Sequence, residues 1–239
     1  EAVQFVDGII FAKNRGVVMV GNFADKTELP ISTFRKRSND WFYMHVDKIS
    51  KHREKYDEII PTEDYLFRYD RGAFWTGYYF FKFYKIPFLK ISRYILDGIL
   101  NTRMLIRLAH GTNMTQRYFV QDLSMPRENT LTFLNYIDER LGIYPLWLCP
   151  LRPGEKDKFS PNCLETKLVI NVGVWGEASR QYSDFVRENR DVENKVMELR
   201  GRKVLYAHSY YPRDEFWEIY DHNWYNVLRD KYFADKVFP

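Results

Sequence analysis

The sequence of 239 residues lacks the features that identify several common classes of protein. Its two cysteines, Cys149 and Cys163, follow no metal-ligand spacing and are too few for a disulfide framework, so a reducing compartment is expected. No Gly-x-Gly-x-x-Gly turn, His-Glu-x-x-His pair or Gly-x-Ser-x-Gly elbow occurs, and no uncharged apolar run is long enough to span a bilayer as a helix. These absences argue against a self-contained nucleotide-binding fold, a metalloprotease site and a serine hydrolase site in this chain.

Aromatic residues are the most unusual part of the composition. They make up 18% of the chain, while hydrophobic residues account for 45% and charged residues for 28%. These proportions are typical of a globular protein with a substantial core. The aromatic excess has two interpretations, a large aromatic core or a surface for a flat, planar partner. The formal net charge of +4 is mild and does not by itself indicate nucleic-acid binding.

One segment combines charged and aromatic residues. Between Asp64 and Trp75, two arginines, Arg68 and Arg71, bracket Asp70 within a run that is otherwise mostly aromatic. Buried charge is costly unless it is paired, yet the flanking residues favour burial. Such a segment is typical of a pocket or an interface, where a guanidinium meets a carboxylate or an anionic, planar ligand. A structural network of arginine and aspartate is the alternative.

The hydrophobic pattern predicts an ordered series of strands and helices. Two β-rich runs around a turn sequence predict an N-terminal hairpin, and apolar residues at helical spacing before Gly111 predict one long helix. The predicted strands are Phe5 to Ala12, Val17 to Phe23, Arg117 to Leu123, Ile143 to Cys149, Lys167 to Trp175 and Val204 to Tyr211. The predicted helices are Trp41 to Tyr56, Phe88 to His110, Pro126 to Leu141, Ser179 to Arg200, Pro212 to Tyr220 and Trp224 to Phe233.

This order predicts an α+β fold. Residues 117–211 read as β-α-β followed by β-α-β, which indicates a ferredoxin-like antiparallel sheet covered by helices. Residues 1–116 are predicted to form a hairpin and a helical lead-in, and residues 212–239 two C-terminal helices. One face of such a sheet must meet something other than its helices. Candidates for that face are Gln121, Asp122, Trp147, Asn171, Trp175, Glu177, His208 and Tyr210.

Short motifs along the chain resemble one family of enzymes. They are Tyr65, Arg68, Arg71, Phe74 and Trp75, then Val120-Gln121-Asp122, Tyr144-Pro145-Leu146-Trp147-Leu148-Cys149-Pro150, Gly173-Val174-Trp175-Gly176-Glu177, Leu205-Tyr206-Ala207, Glu215-Phe216-Trp217-Glu218, Leu228-Arg229-Asp230-Lys231 and Phe238-Pro239. In this order they resemble the C-terminal half of the delta-24 sterol reductase family, which belongs to the flavoproteins of the vanillyl-alcohol-oxidase type. The chain departs from the animal and plant pattern at Tyr69 and Asp70, so a different alkene substrate stays open.

The resemblance implies a flavin-dependent reductase of which this chain is mostly the cap domain. In the family, an N-terminal domain holds FAD, and the cap covers the isoalloxazine ring and the sterol. NADPH reduces the FAD, and the reduced flavin delivers a hydride to the double bond of the sterol side chain. The resemblance also implies a parent protein at the endoplasmic reticulum membrane, with this region soluble and cytoplasmic. The N-terminal FAD domain is expected to lie outside this chain, so the fragment alone is expected to be inactive.

The same resemblance implies roles for individual residues. An alkene needs a hydride and a proton, and the proton donor is expected among Tyr69, His208 and Tyr210. The flavin is expected to meet Arg68, Asp70, Arg71, Gln121, Asp122 and Glu177, and the sterol is expected to lie against Trp75, Trp147 and Trp175. Core packing is the alternative for each tryptophan. No metal is expected.

Two non-catalytic functions are the alternatives. The ferredoxin-like fold also occurs in RNA-binding modules, but neither central strand carries the aromatic ribonucleoprotein motif, so no nucleic-acid partner is expected. A peripheral membrane module is the second alternative, with Tyr78 to Tyr84 and the lysines Lys82, Lys85 and Lys90 at the bilayer. This alternative is compatible with a reductase, because a sterol must be collected from a bilayer.

Overall fold

The computed structural model describes residues 3–25, 28–154, 159–179, 181–234 and 236–237. Arg180, within a predicted helix, and the closing Phe238-Pro239 motif lie outside them. The strands are β1 (Phe5–Ala12), β2 (Arg15–Gly21), β3 (Tyr118–Pro126), β4 (Leu146–Leu151), β5 (Val169–Glu177) and β6 (Arg202–Lys203). The α-helices are α1 (Phe42–Ser50), α2 (Thr62–Leu66), α3 (Thr76–Phe83), α4 (Lys90–Leu96), α5 (Thr102–His110), α6 (Arg127–Arg140), α7 (Tyr182–Glu198), α8 (Arg213–Ile219) and α9 (His222–Lys231).

The strands form one antiparallel sheet in the order β2-β1-β4-β5-β3-β6. Helix α6 connects β3 to β4 with β5 between them, and α7 connects β5 to β6 with β3 between them. The predicted hairpin is confirmed, and it extends the sheet because Ile9 on β1 pairs with Trp147 on β4. The predicted α+β class, with an antiparallel sheet and covering helices, is also confirmed.

The helix side of the sheet holds the main core. Because side chains alternate along a strand, every second residue of β3 and β5 faces α6 and α7. The buried members of this layer are Phe119, Leu123, Met125, Phe133, Ile137, Ile143, Leu146, Val172, Val174, Val192 and Val196. Burying one such side chain contributes about 1.5–3 kcal/mol, and a slip of one residue would turn the whole set to the other face. Because these residues face the helices, the alternate residues of β3 and β5 must face the opposite side of the sheet.

The segment from α1 to α3 covers part of that opposite side. The buried Trp41 lies against Gly72, whose φ is 79°, and a Cβ at Gly72 would lie 2.4 Å from Cε3 of Trp41. Glycine is required there by both conformation and space. A few residues later, Nε1 of Trp75 donates a hydrogen bond to the carbonyl of Trp175 on β5, at 2.8 Å. This bond ties the segment to the sheet.

Two element predictions were wrong. The single helix from Phe88 to His110 is divided into α4, a short 3₁₀ turn and α5, because Asn101 caps α5 by accepting a hydrogen bond from the backbone N–H of Met104 at 3.0 Å. The strand from Val204 to Tyr211 does not form, since β6 ends at Lys203.

The physical reason for the second error lies in the side chain of Lys203. It is fully buried, and its ammonium donates to Glu193 on α7 at 2.6 Å and to the carbonyl of His208. The chain must fold back to bring that carbonyl to the ammonium, so a turn replaces the strand. Strand propensity depends on the local sequence and therefore does not predict this contact between β6 and α7.

Candidate functional site

The two faces of the sheet separate the predicted site residues. Gln121 and Asp122 are neighbours on β3 and therefore point to opposite sides. The amide of Gln121 donates to Oδ1 of Asn189 on α7 at 2.8 Å, which places Gln121 on the helix side. Asp122 pairs in register with Gly173 and lies on the other side with Trp175. The prediction that both polar residues meet one ligand is therefore not supported by their placement.

An aromatic cluster occupies the side of the sheet opposite α6 and α7. Its members are Tyr69, Phe74, Trp75, Trp147 and Trp175. The Tyr69 and Phe74 rings stack with centroids 4.0 Å apart, and Phe74 lies 4.5 Å from Trp175 and 5.1 Å from Trp147. Trp75 and Trp175 are buried, whereas Trp147 is half-buried. All three predicted sterol-wall tryptophans thus come together, and Trp147 is the most accessible of them.

Asp7 is the polar centre of this cluster. It is only 3% exposed, and its Oδ2 accepts hydrogen bonds from the Tyr69 hydroxyl at 2.6 Å, from Nη2 of Arg68 at 3.1 Å and from Nε1 of Trp147 at 3.2 Å. The Arg68 guanidinium also lies over the ring of Tyr65, 3.9 Å from its centroid. One buried carboxylate therefore holds a cation, a phenol and an indole in fixed positions.

Several polar atoms around Asp7 have no partner. Among the described residues, Oδ1 of Asp7, Nε of Arg68 and Oδ1 of Asp122 are buried without a hydrogen bond. Each such atom calls for an explanation in a folded protein, because an unsatisfied buried polar group costs about 1–3 kcal/mol. Two acceptors and one donor on the same side of the sheet are thus left available for polar groups from outside this chain.

The carboxyl group of Asp122 on this side of the sheet has a raised pKa. Burial raises the pKa of Asp122 to about 6, and hydrogen bonding from Tyr206 and Asn171 offsets part of that effect. Gly173 keeps the space beside Asp122 open, since a Cβ at Gly173 would lie 2.9 Å from the carboxylate Oδ1. The hydroxyl of Tyr206 also accepts a hydrogen bond from Nε1 of Trp175 at 3.2 Å, which connects Asp122 to the aromatic cluster.

Cys149 lies on the same side, in register with Asn171. Burial raises the pKa of its thiol, so the thiolate is disfavoured. Cys149 therefore fits a packing residue better than a nucleophile.

The arginine pairs differ from the predicted network. Neither Arg68 nor Arg71 pairs with Asp70. Arg71 donates to Oδ1 of Asp97 at 2.7 and 3.0 Å and to the carbonyl of Phe34 at 2.8 Å, so it ties two loops together. Asp70 instead accepts a hydrogen bond from the backbone N–H of Thr102, which begins α5.

Three further predicted residues lie apart from the aromatic cluster. Glu177, at the end of β5, is exposed and forms an ion pair with Lys82 at 2.5 Å. His208 and Tyr210 follow β6 and contact the helix side, where the backbone N–H of Tyr210 donates to Glu193 on α7 at 3.0 Å. Of the three candidate proton donors, the structure therefore brings Tyr69 to the cluster and leaves His208 and Tyr210 elsewhere.

Sequence reasoning missed Asp7 and the role of Tyr206. The signal for Asp7 was available, because an acidic residue inside the apolar run from Phe5 to Phe11 must be paired if that run is a buried strand. Its partner could not be identified from the pattern alone. Tyr206 lies in a turn after β6, and no local periodicity predicts its contact with Trp175.

Comparison with known proteins identifies a consistent set of relatives. The chain is 28% identical over 243 residues to the Delta(24)-sterol reductase of Homo sapiens, a match that covers 99% of this chain and 46% of that protein. It is 26% identical over 268 residues to the Delta(24)-sterol reductase of Arabidopsis thaliana, covering 98% of this chain and 46% of the plant protein. This chain is similar to the Delta(24)-sterol reductases along nearly its whole length. A homolog of that reductase in Caenorhabditis elegans is 26% identical over 257 residues, covering 100% of this chain and 47% of the worm protein.

No family model and no solved structure matches the chain. The chain spans about half the length of the curated relatives it matches, which is consistent with a C-terminal half. The resemblance indicated by the sequence motifs is therefore confirmed. Among the described residues, no group of His, Cys, Asp and Glu side chains could hold a metal ion, and no helix is long and apolar enough to cross a membrane.

Proposed function

We propose that this chain is the substrate-side cap domain of an FAD-dependent, NADPH-linked reductase acting on the delta-24 double bond of sterols. The observation that carries the proposal is the cluster around Asp7, where Arg68, Tyr69 and Trp147 share one carboxylate oxygen beside buried, unpartnered polar atoms. The similarity to sterol reductases of animals and plants supports the same conclusion. The remaining partner would be the protein's own FAD-binding domain.

The residues present fit the ring of a flavin. The pyrimidine edge of an isoalloxazine carries two carbonyl acceptors and one N–H donor. The cluster offers a guanidinium donor in Arg68 and unpartnered acceptor oxygens in Asp7 and Asp122, next to the flat surface of Trp147. Arg68 and Trp147 would hold the ring, and FAD, when bound and reduced by NADPH, would supply the hydride.

Tyr69 is the proposed proton donor. Burial raises the pKa of Tyr69 well above its ordinary value, so the phenol keeps its proton at neutral pH, and its hydroxyl donates a hydrogen bond to Oδ2 of Asp7. The stacked Phe74 fixes the ring orientation. The half-buried Trp147 then offers an apolar surface for the sterol, while the buried Trp75 and Trp175 support it from behind.

The test uses the chain joined to the upstream region of its own parent protein. The expected result is a flavin absorbance spectrum that NADPH bleaches and that a delta-24 sterol restores. Tyr69→Phe should lower the rate of the sterol-dependent step by about 10²–10⁴-fold while leaving the bleaching by NADPH unchanged. Tyr84→Phe, at an exposed tyrosine, is the matched control.

Two results would count against the proposal. Tight FAD binding and turnover by the isolated chain would exclude a cap role. Reoxidation at the normal rate in Tyr69→Phe would remove the tyrosine from proton transfer.

A further inference from the structure

A cleft with aromatic walls opens between α1, α3 and the turn that precedes β4. Its volume is about 470 Å³, within the range of about 300–1,000 Å³ that is usual for small-molecule sites. Of the five residues of the aromatic cluster, only Trp75 lines it, so the cleft is distinct from the surface at Asp7. The rings that line it are Tyr43, Trp75, Tyr78, Tyr79, Phe88 and Tyr144.

Two carboxylates, Asp40 and Asp47, also line the cleft. Both oxygens of Asp47 are already used, because they accept from Arg15 at 2.7 Å and from Lys51 at 2.6 Å. Asp40, just before α1, differs. Within the described chain it uses only Oδ1, which accepts from Arg93 at 3.3 Å. Its Oδ2 is therefore left to accept a hydrogen bond from a ligand.

Arg93 supplies the cation that such a site would otherwise attract. A carboxylate beside several aromatic rings is a typical site for a positively charged ligand. Here the guanidinium of Arg93 lies 5.2 Å from the centroid of the Phe88 ring and also contacts Met44 and Asp40, all of which line the cleft. Arg93 is only 8% exposed, and among the described residues its Nε has no hydrogen-bond partner. The cleft thus favours an uncharged ligand with a hydroxyl group, which can both donate and accept.

Trp75 connects the cleft to the aromatic cluster. Its ring is one wall of the cleft and lies 5.2 Å from the Trp175 ring, measured between centroids. Its Nε1 donates to the carbonyl of Trp175 at 2.8 Å. A ligand in the cleft therefore contacts an indole that is fixed to the sheet, and the fluorescence of that indole reports binding.

We propose that this cleft binds a flat, uncharged polycyclic alcohol at a second site, separate from the surface at Asp7. Tyr43 and Tyr78 present flat apolar faces, against which a rigid ring system buries apolar area at little cost in conformational entropy. The hydroxyl donates to Oδ2 of Asp40. Since neither Asp7 nor Tyr69 lines the cleft, the ligand is held there without reaction. The choice of a sterol as the member of this class rests on the proposed function, whereas the shape and polarity of the cleft do not.

The experiment titrates the chain with dehydroergosterol, a fluorescent sterol delivered from cyclodextrin, and follows energy transfer from tryptophan to the sterol. Binding to the wild type should be saturable. Tyr78→Ala removes one wall and should raise the Kd by about tenfold or more. Tyr84→Ala is the matched control and should bind like the wild type, because Tyr84 is 40% exposed against 41% for Tyr78 and does not line the cleft. The methyl ether of the same sterol cannot donate a hydrogen bond and should bind about tenfold more weakly.

Nitration by tetranitromethane gives a second measurement in the unaltered protein, so it does not depend on the folding of a variant. Saturating dehydroergosterol should protect Tyr78 and leave Tyr84 as reactive as before.

Several results would overturn the proposal. They are the absence of saturable binding, an equal loss in Tyr84→Ala, equal binding of the methyl ether, and equal nitration of Tyr78 with and without the sterol. Weaker binding in Trp147→Ala together with normal binding in Tyr78→Ala would place the sterol at the surface around Asp7. That result would refute a site in the cleft and leave the proposed function standing. Failure of the NADPH-dependent flavin assay would refute the proposed function without changing the binding that depends on Tyr78.

Discussion

Asp7→Ala is the substitution that tests the candidate site most directly. It removes the carboxylate that pairs with Arg68, whose side chain is only 12% exposed. Breaking a buried ion pair from one side costs about 3–5 kcal/mol, because the remaining charge stays buried without compensation. The phenol of Tyr69 and the indole of Trp147 lose their acceptor at the same time. Since a domain has about 5–15 kcal/mol of stability in total, a large part of it should be lost.

Further variants of Asp7 and Arg68 separate the contribution of the charge of Asp7 to stability from that of its hydrogen bonds. Asp7→Asn keeps an oxygen that can accept from the Tyr69 hydroxyl but loses the charge opposite Arg68, so we expect a smaller cost of about 1.5–3 kcal/mol. The double variant Asp7→Leu/Arg68→Leu removes both charges and should be less destabilised than Asp7→Leu alone. Together with the single variant Arg68→Leu, these free energies of unfolding complete a double-mutant cycle that gives the coupling energy of the pair.

The assay is urea unfolding followed by tryptophan fluorescence, which gives the free energy of unfolding of each variant. Asp57→Asn is the control, since Asp57 is exposed and pairs with Lys55 at 3.5 Å. An exposed pair contributes about 0–1 kcal/mol. If Asp7→Ala costs less than about 1 kcal/mol, or no more than Asp57→Asn, then Asp7 does not hold the cluster and the reasoning is wrong.

Three other substitutions have defined outcomes. Gly173→Ala places a methyl group 2.9 Å from both the Asp122 carboxylate and the Trp175 ring, and the free energy of unfolding should fall by about 1–3 kcal/mol. Burial raises the pKa of Asp122 to about 6 in the folded protein. The stability of the wild type relative to Asp122→Asn should therefore be highest below pH ~4 and should fall as the pH rises through the pKa of the folded state. Urea unfolding at each pH measures this difference. Glu193→Gln leaves the buried ammonium of Lys203 without its counter-ion and should cost about 3–5 kcal/mol in the same assay.

Each of these has its own check. Gly21→Ala is the control for Gly173→Ala, since a Cβ there meets nothing closer than 4.0 Å, and equal losses would show that space beside Asp122 is not limiting. A pH-independent difference between the wild type and Asp122→Asn would mean that Asp122 titrates normally. For Glu193→Gln, a cost no larger than that of Glu198→Gln, at an exposed glutamate on the same helix, would contradict a tight buried pair.

The local hydrophobic pattern was sufficient to predict the strands and helices in which apolar residues recur at a regular spacing. The alternation in β5 and the helical spacing in α6 and α7 each follow one period over many residues, so the type and approximate bounds of these elements could be predicted. The strand predicted to begin at Val204 fails because a single buried contact, from Lys203 to Glu193, outweighs β propensity. Such a contact depends on an element ten positions earlier in the chain.

The candidate site shows even more clearly that local sequence patterns do not predict contacts between distant residues. The sequence indicated Arg68, Tyr69 and Trp147 as residues of one site, but the carboxylate it offered as an alternative partner of Arg68 was the near neighbour Asp70. The actual partner, Asp7, is 61 positions from Arg68 and 140 from Trp147. Only the pairing of β1 with β4 brings Asp7 beside Trp147. Charge pairing at this distance is a product of sheet order, which residue patterns do not specify.

Within the described residues, the buried ion pairs Asp7–Arg68 and Lys203–Glu193 argue for different roles because they differ in hydrogen bonding. Lys203 donates to both Glu193 and a carbonyl, and both oxygens of Glu193 also accept from the backbone N–H of Tyr210. That pair is satisfied within the chain, as a structural pair should be. In contrast, Asp7 and Arg68 each keep an unpartnered atom on a partly exposed aromatic surface. A buried pair that stays incomplete is costly unless something completes it, so the functional surface should lie at Asp7 and Arg68 and not at Lys203.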